Sequence, residues 1–323
     1  ALLVQLNNFL YDGGAGENLP DMLGGLTVQT NWVLWIAFAS IFLLLCAITY
    51  LRCGELQKTL ARGGLYLFVI VLCIFILYPF YVMLITGFRS NAETTDMYFL
   101  HMLPTKWVWS NLKDICDRGV LRFLLNSIML STGATAIAML CGIPAAYAMS
   151  RMNFKGRNLF LGFVIMSQMF SPVVLLVGIS QLMNTLHLND TILGLMLINA
   201  AFNQAFAIWL LRGTFVSISP EMEQAACIDG WHILLPMAAP GIVTTLIFVF
   251  INSWNEYTIS TVLISTPANK PITVGITQFS SFNMIEWQYL FAAALLATIP
   301  VIILFMCIEK HLAEGLTSGG VKG

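Results

Sequence analysis

Seven stretches of this chain are apolar for long enough to cross a membrane, and the polar positions fall between them. The stretches cover residues 32–51, 65–88, 123–150, 159–183, 192–211, 241–263 and 287–308, and Glu256 is the one acidic residue inside any of them. A helix needs about 20 apolar residues to cover the hydrocarbon core, and a Lys, Arg or Asp at its centre costs roughly 2.5 to 3.5 kcal/mol. The pattern therefore predicts an all-α polytopic membrane protein. Pro79, Pro144, Pro172 and Pro300 fall inside the apolar runs, where each removes a backbone hydrogen bond and bends its helix unless neighbours compensate.

Composition agrees with the pattern. Charged residues make up 10% of the chain, hydrophobic residues 58%, and mean hydropathy is +0.82, whereas a soluble domain carries about 25% charged residues. The first run, 32–51, follows a Gly-rich segment without Lys or Arg. It lacks the basic start of a signal peptide and is read as a retained helix.

Charge in the short loops sets an expected orientation. Arg52, Lys58, Arg62, Arg151, Lys155, Arg157 and Arg212 share the side that the C-terminus also faces, while residues 1–30 hold no Lys or Arg. The positive-inside rule makes that side cytoplasmic. The longest opposite segment, 89–122, mixes Lys106, Lys113, Arg118 and Arg122 with Asp96, Asp114 and Asp117, which suits a short folded external cap.

Chemistry within the chain is sparse. Cys46, Cys73, Cys141 and Cys307 lie inside apolar runs, and His101, His187, His232 and His311 are scattered, so neither a disulfide framework nor a metal cluster is expected. HExxH, GxSxG and the phosphate-cradling Gly-Lys-Ser/Thr loop are missing. No catalytic residue, metal site or nucleic-acid partner is expected.

One acidic, helix-forming patch interrupts the apolar text. From Pro220 the chain reads Pro-Glu-Met-Glu-Gln-Ala-Ala-Cys-Ile-Asp-Gly, ending at Gly230. Ser219 suits an N-cap, Pro220 the first helical position, Glu221 and Glu223 the positive end of the helix dipole, and Gly230 the stop. A helix lying on the bilayer surface is the plainer alternative. It is weakened by the absence of Lys and Arg between Arg212 and Lys270, because surface helices are usually basic on their polar face.

Ala225-Ala226-x-x-x-Gly230 followed by Ile233-x-Leu235-Pro236 resembles the signature cytoplasmic loop of ABC importer permeases. Asn126-Ser127, Arg151-Met-Asn-Phe-Lys-Gly-Arg157, Leu188-Asn-Asp-Thr191, Trp254-Asn-Glu-Tyr257 and the closing Gly315-Leu-Thr-Ser-Gly-Gly-Val-Lys-Gly323 are similar to the carbohydrate-uptake, MalG-like members of that binding-protein-dependent family. The resemblance covers residue 65 onward. It implies a six-helix type I permease core, with the 32–51 helix as an extra N-terminal span. The implied divisions are 1–64 (external segment, extra helix and inner linker), 65–308 (permease domain, coupling loop about 213–240) and 309–323 (cytoplasmic tail).

The same resemblance implies a division of labour in a bacterial or archaeal plasma membrane. A second permease completes the pore, two copies of a cytoplasmic ATPase bind ATP and Mg, an extracytoplasmic binding protein delivers a sugar, and this chain holds no cofactor. Glu221, Glu223, Gln224, Ala225, Ala226, Asp229 and Gly230 would couple to the ATPase. Gly315, Ser318, Gly319 and Gly320 in the tail would contact it too, the alternative being a frayed terminus.

Two departures stand out. The family places Glu directly before the paired alanines, where this chain has Gln224, with Glu223 one place earlier. The family also separates its glycine from the isoleucine by nine residues, whereas only Trp231 and His232 intervene here. A segment missing between Gly230 and Trp231 is expected, and a start at Ala1 fits an incomplete translated sequence.

Glu256 leaves two readings open. An acid inside a span is costly and a candidate for the sugar path together with Asn252 and Asn255, or it is a structural carboxylate near the end of its helix. A polyol or glycerophosphodiester permease is the alternative within the family. A secondary transporter would carry several midplane ionisable groups or visible repeats, and an embedded enzyme would carry a convergent catalytic set; the sequence displays neither.

Overall fold

A computed structural model describes residues 55–95, 103–218, 234–281 and 285–318, with side chains placed within 62–95, 103–218, 237–281 and 285–306. The expected first span, 32–51, lies outside the described residues. The chain divides into two compact units, Ala1–Tyr81 and Val82–Gly323. In the first, the described part is helix α1 (Glu55–Gly87), which carries Pro79 and continues into the second unit. Its apolar side chains from Leu65 to Tyr81 are largely exposed.

The second unit is a helical bundle. Short helices α2 (Asn91–Thr95) and α3 (Ser110–Asp117) precede α4 (Val120–Arg151). Then come α5 (Arg157–Ser167), α6 (Pro172–Thr185), α7 (Ile192–Ser217) and α8 (Leu234–Trp254). The short α9 (Thr258–Leu263) and α10 (Ile272–Gly275), each followed by a 3-10 turn, lead to α11 (Trp287–Ser318). Five described helices are long and apolar enough to cross a membrane, six spans in all if α5 and α6 count as one.

Two expected spans take a different form. The run 159–183 is not one helix: α5 and α6 meet at 98° across the break at residues 168–171. Pro172 occupies the first turn of α6, where its missing N–H costs nothing, so it starts a helix instead of kinking one. The run 241–263 is also split. Helix α8 begins earlier and stops at Trp254, and residues 258–263 form the separate α9.

Local chemistry explains several boundaries. Gly119 (φ 89°) and Gly156 (φ 95°) take left-handed conformations immediately before α4 and α5, which cost glycine little. Thr191 caps α7 by accepting the Gly194 N–H at 3.0 Å. Helix α7 buries Leu195, Ile198, Ala207, Leu211 and Phe215 among its neighbours, while Leu193, Trp209 and Val216 remain exposed.

Helices α4, α7 and α8 form the centre. Small side chains let them approach closely: Ala138, Ala200 and Ala207 are buried with Val249 in one cluster, and a Cβ added at Gly133 would collide with Met196 at 2.5 Å. Small-residue contacts of this kind drive helix association in lipid, where apolar side chains gain nothing by leaving the hydrocarbon. Two further clusters close the bundle's ends. Phe123, Trp254, Ile272, Phe279, Ala292 and Ala293 pack at the Val120 end, and Met139, Ala146, Ile208, Leu211, Phe215, Ile218 and Ala238 toward the Arg151 end.

Candidate functional site

At the Val120 end, the short motifs converge on one segment, residues 256–275. Asn126 Nδ2 donates to the carbonyls of Ala268 (2.8 Å) and Lys270 (3.0 Å). Arg122 Nε donates to Ala268 at 2.9 Å, and the Ile272 N–H donates to Ser127 Oγ at 2.7 Å. From the α6–α7 turn, Asp190 accepts the Ser265 and Thr266 N–H groups at 3.0 Å each and also the Thr266 hydroxyl. Asn269 Nδ2 returns a bond to the Asp190 carbonyl at 2.7 Å. Gly275 lies so close to α4 that an added Cβ would stand 2.2 Å from the Phe123 ring.

These bonds stabilise the ionised form of Asp190. The Thr266 hydroxyl is the largest influence and holds its carboxyl below the ordinary 3.8; burial opposes it, and the Thr266 and Ser265 N–H groups add to the lowering. The residue sits at φ 58°, a left-handed conformation that Asp tolerates better than most residues.

Glu256 belongs to the same layer. Its Oε1 accepts the Ile259 N–H at 2.6 Å, and its Oε2 accepts the Ser260 N–H (3.0 Å) and hydroxyl (2.6 Å). The carboxylate thus caps α9 between helices instead of standing within a span, and its charge meets the donor end of that helix. Asn255 lines a cavity of about 280 Å³ with Trp254, Thr273 and Thr298.

Asn252 lies elsewhere, on a face shared by α7 and α8. Its Nδ2 donates to Asn203 Oδ1 at 3.2 Å, and Asn203 Nδ2 donates to the Asn199 carbonyl (2.8 Å) and Ser253 Oγ (3.4 Å). Asn203 is buried at 8% exposure, whereas Asn252 is exposed. Beside it, the Phe206 ring meets Phe248 edge-on at 5.8 Å and Trp209 at 6.3 Å. Trp209 and Phe248 are 53% and 45% exposed. At the α5–α6 break, Gln168 Nε2 donates to the Phe202 carbonyl at 3.1 Å.

The sequence reading grouped Asn252, Asn255 and Glu256. The structure gives Asn252 to the aromatic face, Asn255 to the cavity and Glu256 to the α9 cap. The aromatic partners escaped that reading, although Phe202, Phe206 and Trp209 recur at one-turn spacing on α7 and Phe248 precedes Asn252 by four residues on α8.

At the Arg151 end, Arg151 Nη2 donates to the carbonyls of Phe215 (3.0 Å) and Ile218 (2.8 Å). Beyond Ile218, the proposed coupling residues Glu221, Glu223, Gln224, Ala225, Ala226, Asp229 and Gly230, and the Gly230–Trp231 junction, lie outside the described residues. In the tail, Gly315 and Ser318 belong to the last turns of α11, while Gly319 and Gly320 lie outside the described residues. Among the described residues, no cluster of three or more His, Cys, Asp or Glu could hold a metal ion.

A bundle of long apolar helices with one bent pair, and with an amide and aromatic face between α7 and α8, is the architecture of a polytopic membrane protein. The family described as "Binding-protein-dependent transport system inner membrane component" matches residues 138–318, more than half of the chain. The chain belongs to that family. It is 33% identical to the trehalose transport system permease protein SugB of Mycobacterium tuberculosis, over 69% of this chain and 85% of that protein. It is 28% identical to the trehalose/maltose transport system permease protein MalG of Thermococcus litoralis, over 83% of this chain and 99% of that one. The fold is shared with a chain of a bacterial ABC transporter that imports the acidic polysaccharide alginate: the TM-score is 0.68 at 21% identity, covering 81% of this chain and 99% of the other. The protein is an inner-membrane permease of the ABC importer class.

Proposed function

We propose that this permease carries di- or oligosaccharides, forming half of a pore with a second permease. The observation that carries the reading is the α7–α8 face, where exposed aromatic rings lie beside an amide held in place by a buried amide. Ring faces suit the apolar faces of pyranoses, and an amide offers both donors and acceptors to hydroxyls. Asn203 fixes one side of Asn252, leaving its remaining polar atoms for solute. The break between α5 and α6 meets α7 at the same level, and discontinuous helices commonly flank transporter solute sites. The trehalose and maltose named for the two relatives support this class of cargo.

In this reading the Arg151 end faces the cytoplasm. The 220–230 segment rides on one of two ATP-binding subunits and conveys their closure to the bundle, and the tail through Gly320 adds a second contact. An extracytoplasmic binding protein delivers the sugar at the Val120 end. The bundle is then a two-state element whose equilibrium is set by nucleotide bound elsewhere.

The reading is tested by uptake into proteoliposomes holding the assembled importer, with trehalose, maltose, a longer maltooligosaccharide, glycerol and a glycerophosphodiester supplied separately. Saccharide uptake is expected, and Asn252→Ala and Phe248→Ala should each lower saccharide uptake about tenfold, the effect of losing about 1.4 kcal/mol of polar or ring contact. Uptake of glycerol or the phosphodiester with none of any saccharide would overturn the cargo assignment. Removing residues after Ala313 should weaken co-purification of the ATPase subunits; unchanged assembly and transport would remove the tail from the contact.

A further inference from the structure

The loop Arg151-Met-Asn-Phe-Lys-Gly-Arg157 follows α4 on the side that the positive-inside rule makes cytoplasmic. Its first residue does something specific: Arg151 ends α4 yet binds the last carbonyls of α7. One nitrogen, Nη2, serves both the Phe215 carbonyl at 3.0 Å and the Ile218 carbonyl at 2.8 Å. The Phe215 carbonyl also accepts the Ile218 N–H as the chain leaves the helix at 3.3 Å. These carbonyls are the electronegative end of α7, so a fixed cation there is favoured by the helix dipole as well as by charge-assisted bonding.

The surroundings make the joint stiff. Tyr147, one turn before Arg151, meets the Phe215 ring edge-on at 5.7 Å. Phe215 and Ile218 are 2% and 7% exposed, packed with Ala146 and Ala238. On the other flank, α8 passes α7 so closely that a Cβ at Gly241 would stand 2.0 Å from Thr214 Oγ. The last turns of α4 and α7 and the first turns of α8 therefore meet immediately before and after residues 219–233.

We infer that Arg151 is a positioning residue for coupling, tying the end of α4 to the point where α7 hands the chain to the 220–230 segment. Force applied to that segment then moves α4 and α7 together. Without the tie, α4 follows α7 through side-chain packing only, and nucleotide hydrolysis continues with less transport per ATP. This inference rests on the proposal that residues 220–230 contact the ATPase.

The test uses the complete importer with its binding protein in proteoliposomes. Arg151→Gln removes the charge and the fork, and Arg151→Lys restores a cation able to reach a carbonyl. Three quantities are read: ATPase co-purification, stimulated ATP hydrolysis, and sugar transported per ATP. Arg151→Gln should assemble and hydrolyse ATP but transport about tenfold less sugar per ATP, as loss of a charge-assisted bond pair implies, with Arg151→Lys recovering to within about threefold. An unchanged ratio in Arg151→Gln overturns the inference. So does loss of assembly in both variants, which would make Arg151 a folding residue. A parallel Glu223→Cys cross-link to a cysteine on the ATPase separates the two ideas: no cross-link from Glu223→Cys with Arg151 intact sinks the coupling contact itself, while a cross-link with an unchanged Arg151→Gln ratio sinks only the role of Arg151.

Discussion

The two ends of the bundle are held in opposite ways. At the Val120 end, Arg122, Asn126, Ser127, Asp190, Asn269 and Glu256 distribute polar bonds over residues 256–275. At the Arg151 end, apolar packing dominates, and Arg151 adds side-chain bonds from α4 to the last carbonyls of α7. Distributed bonds tolerate the loss of any one, because neighbours keep the segment in place. A closely packed joint can transmit a push, and crowding it or removing its charged tie changes how its helices move together.

The largest effect in prospect comes from crowding the apolar end. Gly241→Ala would place a methyl 2.7 Å from Thr214 Cβ, a contact that rotamer changes cannot relieve, so α7 and α8 must separate. Overpacking of this kind costs about 1–3 kcal/mol. Gly241→Ala should lower the melting temperature in detergent by several degrees and reduce transport per ATP, and adding Thr214→Gly should restore much of both. No rescue by the second substitution would show that the two helices do not meet as described.

A middle-sized effect is expected from Asn126→Ala at the densely bonded end. It leaves the Ala268 and Lys270 carbonyls short of one donor each, at about 1 kcal/mol for a half-buried pair of bonds, since Ala268 keeps the Arg122 donor. Thermal stability should fall while sugar transported per ATP stays close to the parent value. A drop in that ratio as large as that of Arg151→Gln would erase the contrast between the ends.

The smallest effect concerns pH. Asp190 has a folded-state pKa below its ordinary 3.8, so its contribution is fully present above 3.8 and lost as pH falls through the lowered folded value. Limited proteolysis of the 256–275 segment should therefore quicken in acid below about 3.8 in the parent protein. Asp190→Asn should show faster cleavage near neutral pH and a flatter acid response. An identical acid response in both would assign the transition to other carboxylates.

Much of the fold was legible because lipid imposes a simple rule: long charge-free runs become spans. Residues 65–88, 123–150, 192–211 and 287–308 obeyed it. The rule says nothing about breaks, so 159–183 read as one helix although Pro172 starts a second, and 241–263 read as one although Glu256 caps a new turn. Asn126, Ser127 and Asp190 were visible only as family likeness. Their partners lie 75 to 145 residues away along the chain, a pairing that no local pattern encodes. The aromatic face was partly legible in the one-turn spacing on α7 and the Phe248–Asn252 pair on α8, but uniting them required the packing of the two helices. Arg151 looked like an orientation marker because its charge is local and its acceptors are backbone.

The central claim, that this bundle is a passive conduit driven from outside itself, is tested most directly by uptake, in proteoliposomes containing the assembled importer, of whichever radiolabelled saccharide its binding protein retains. The account predicts accumulation against a gradient only with ATP on the ATPase side and binding protein on the other. Equilibration of that saccharide by this chain alone, without ATP or partner subunits, would contradict it.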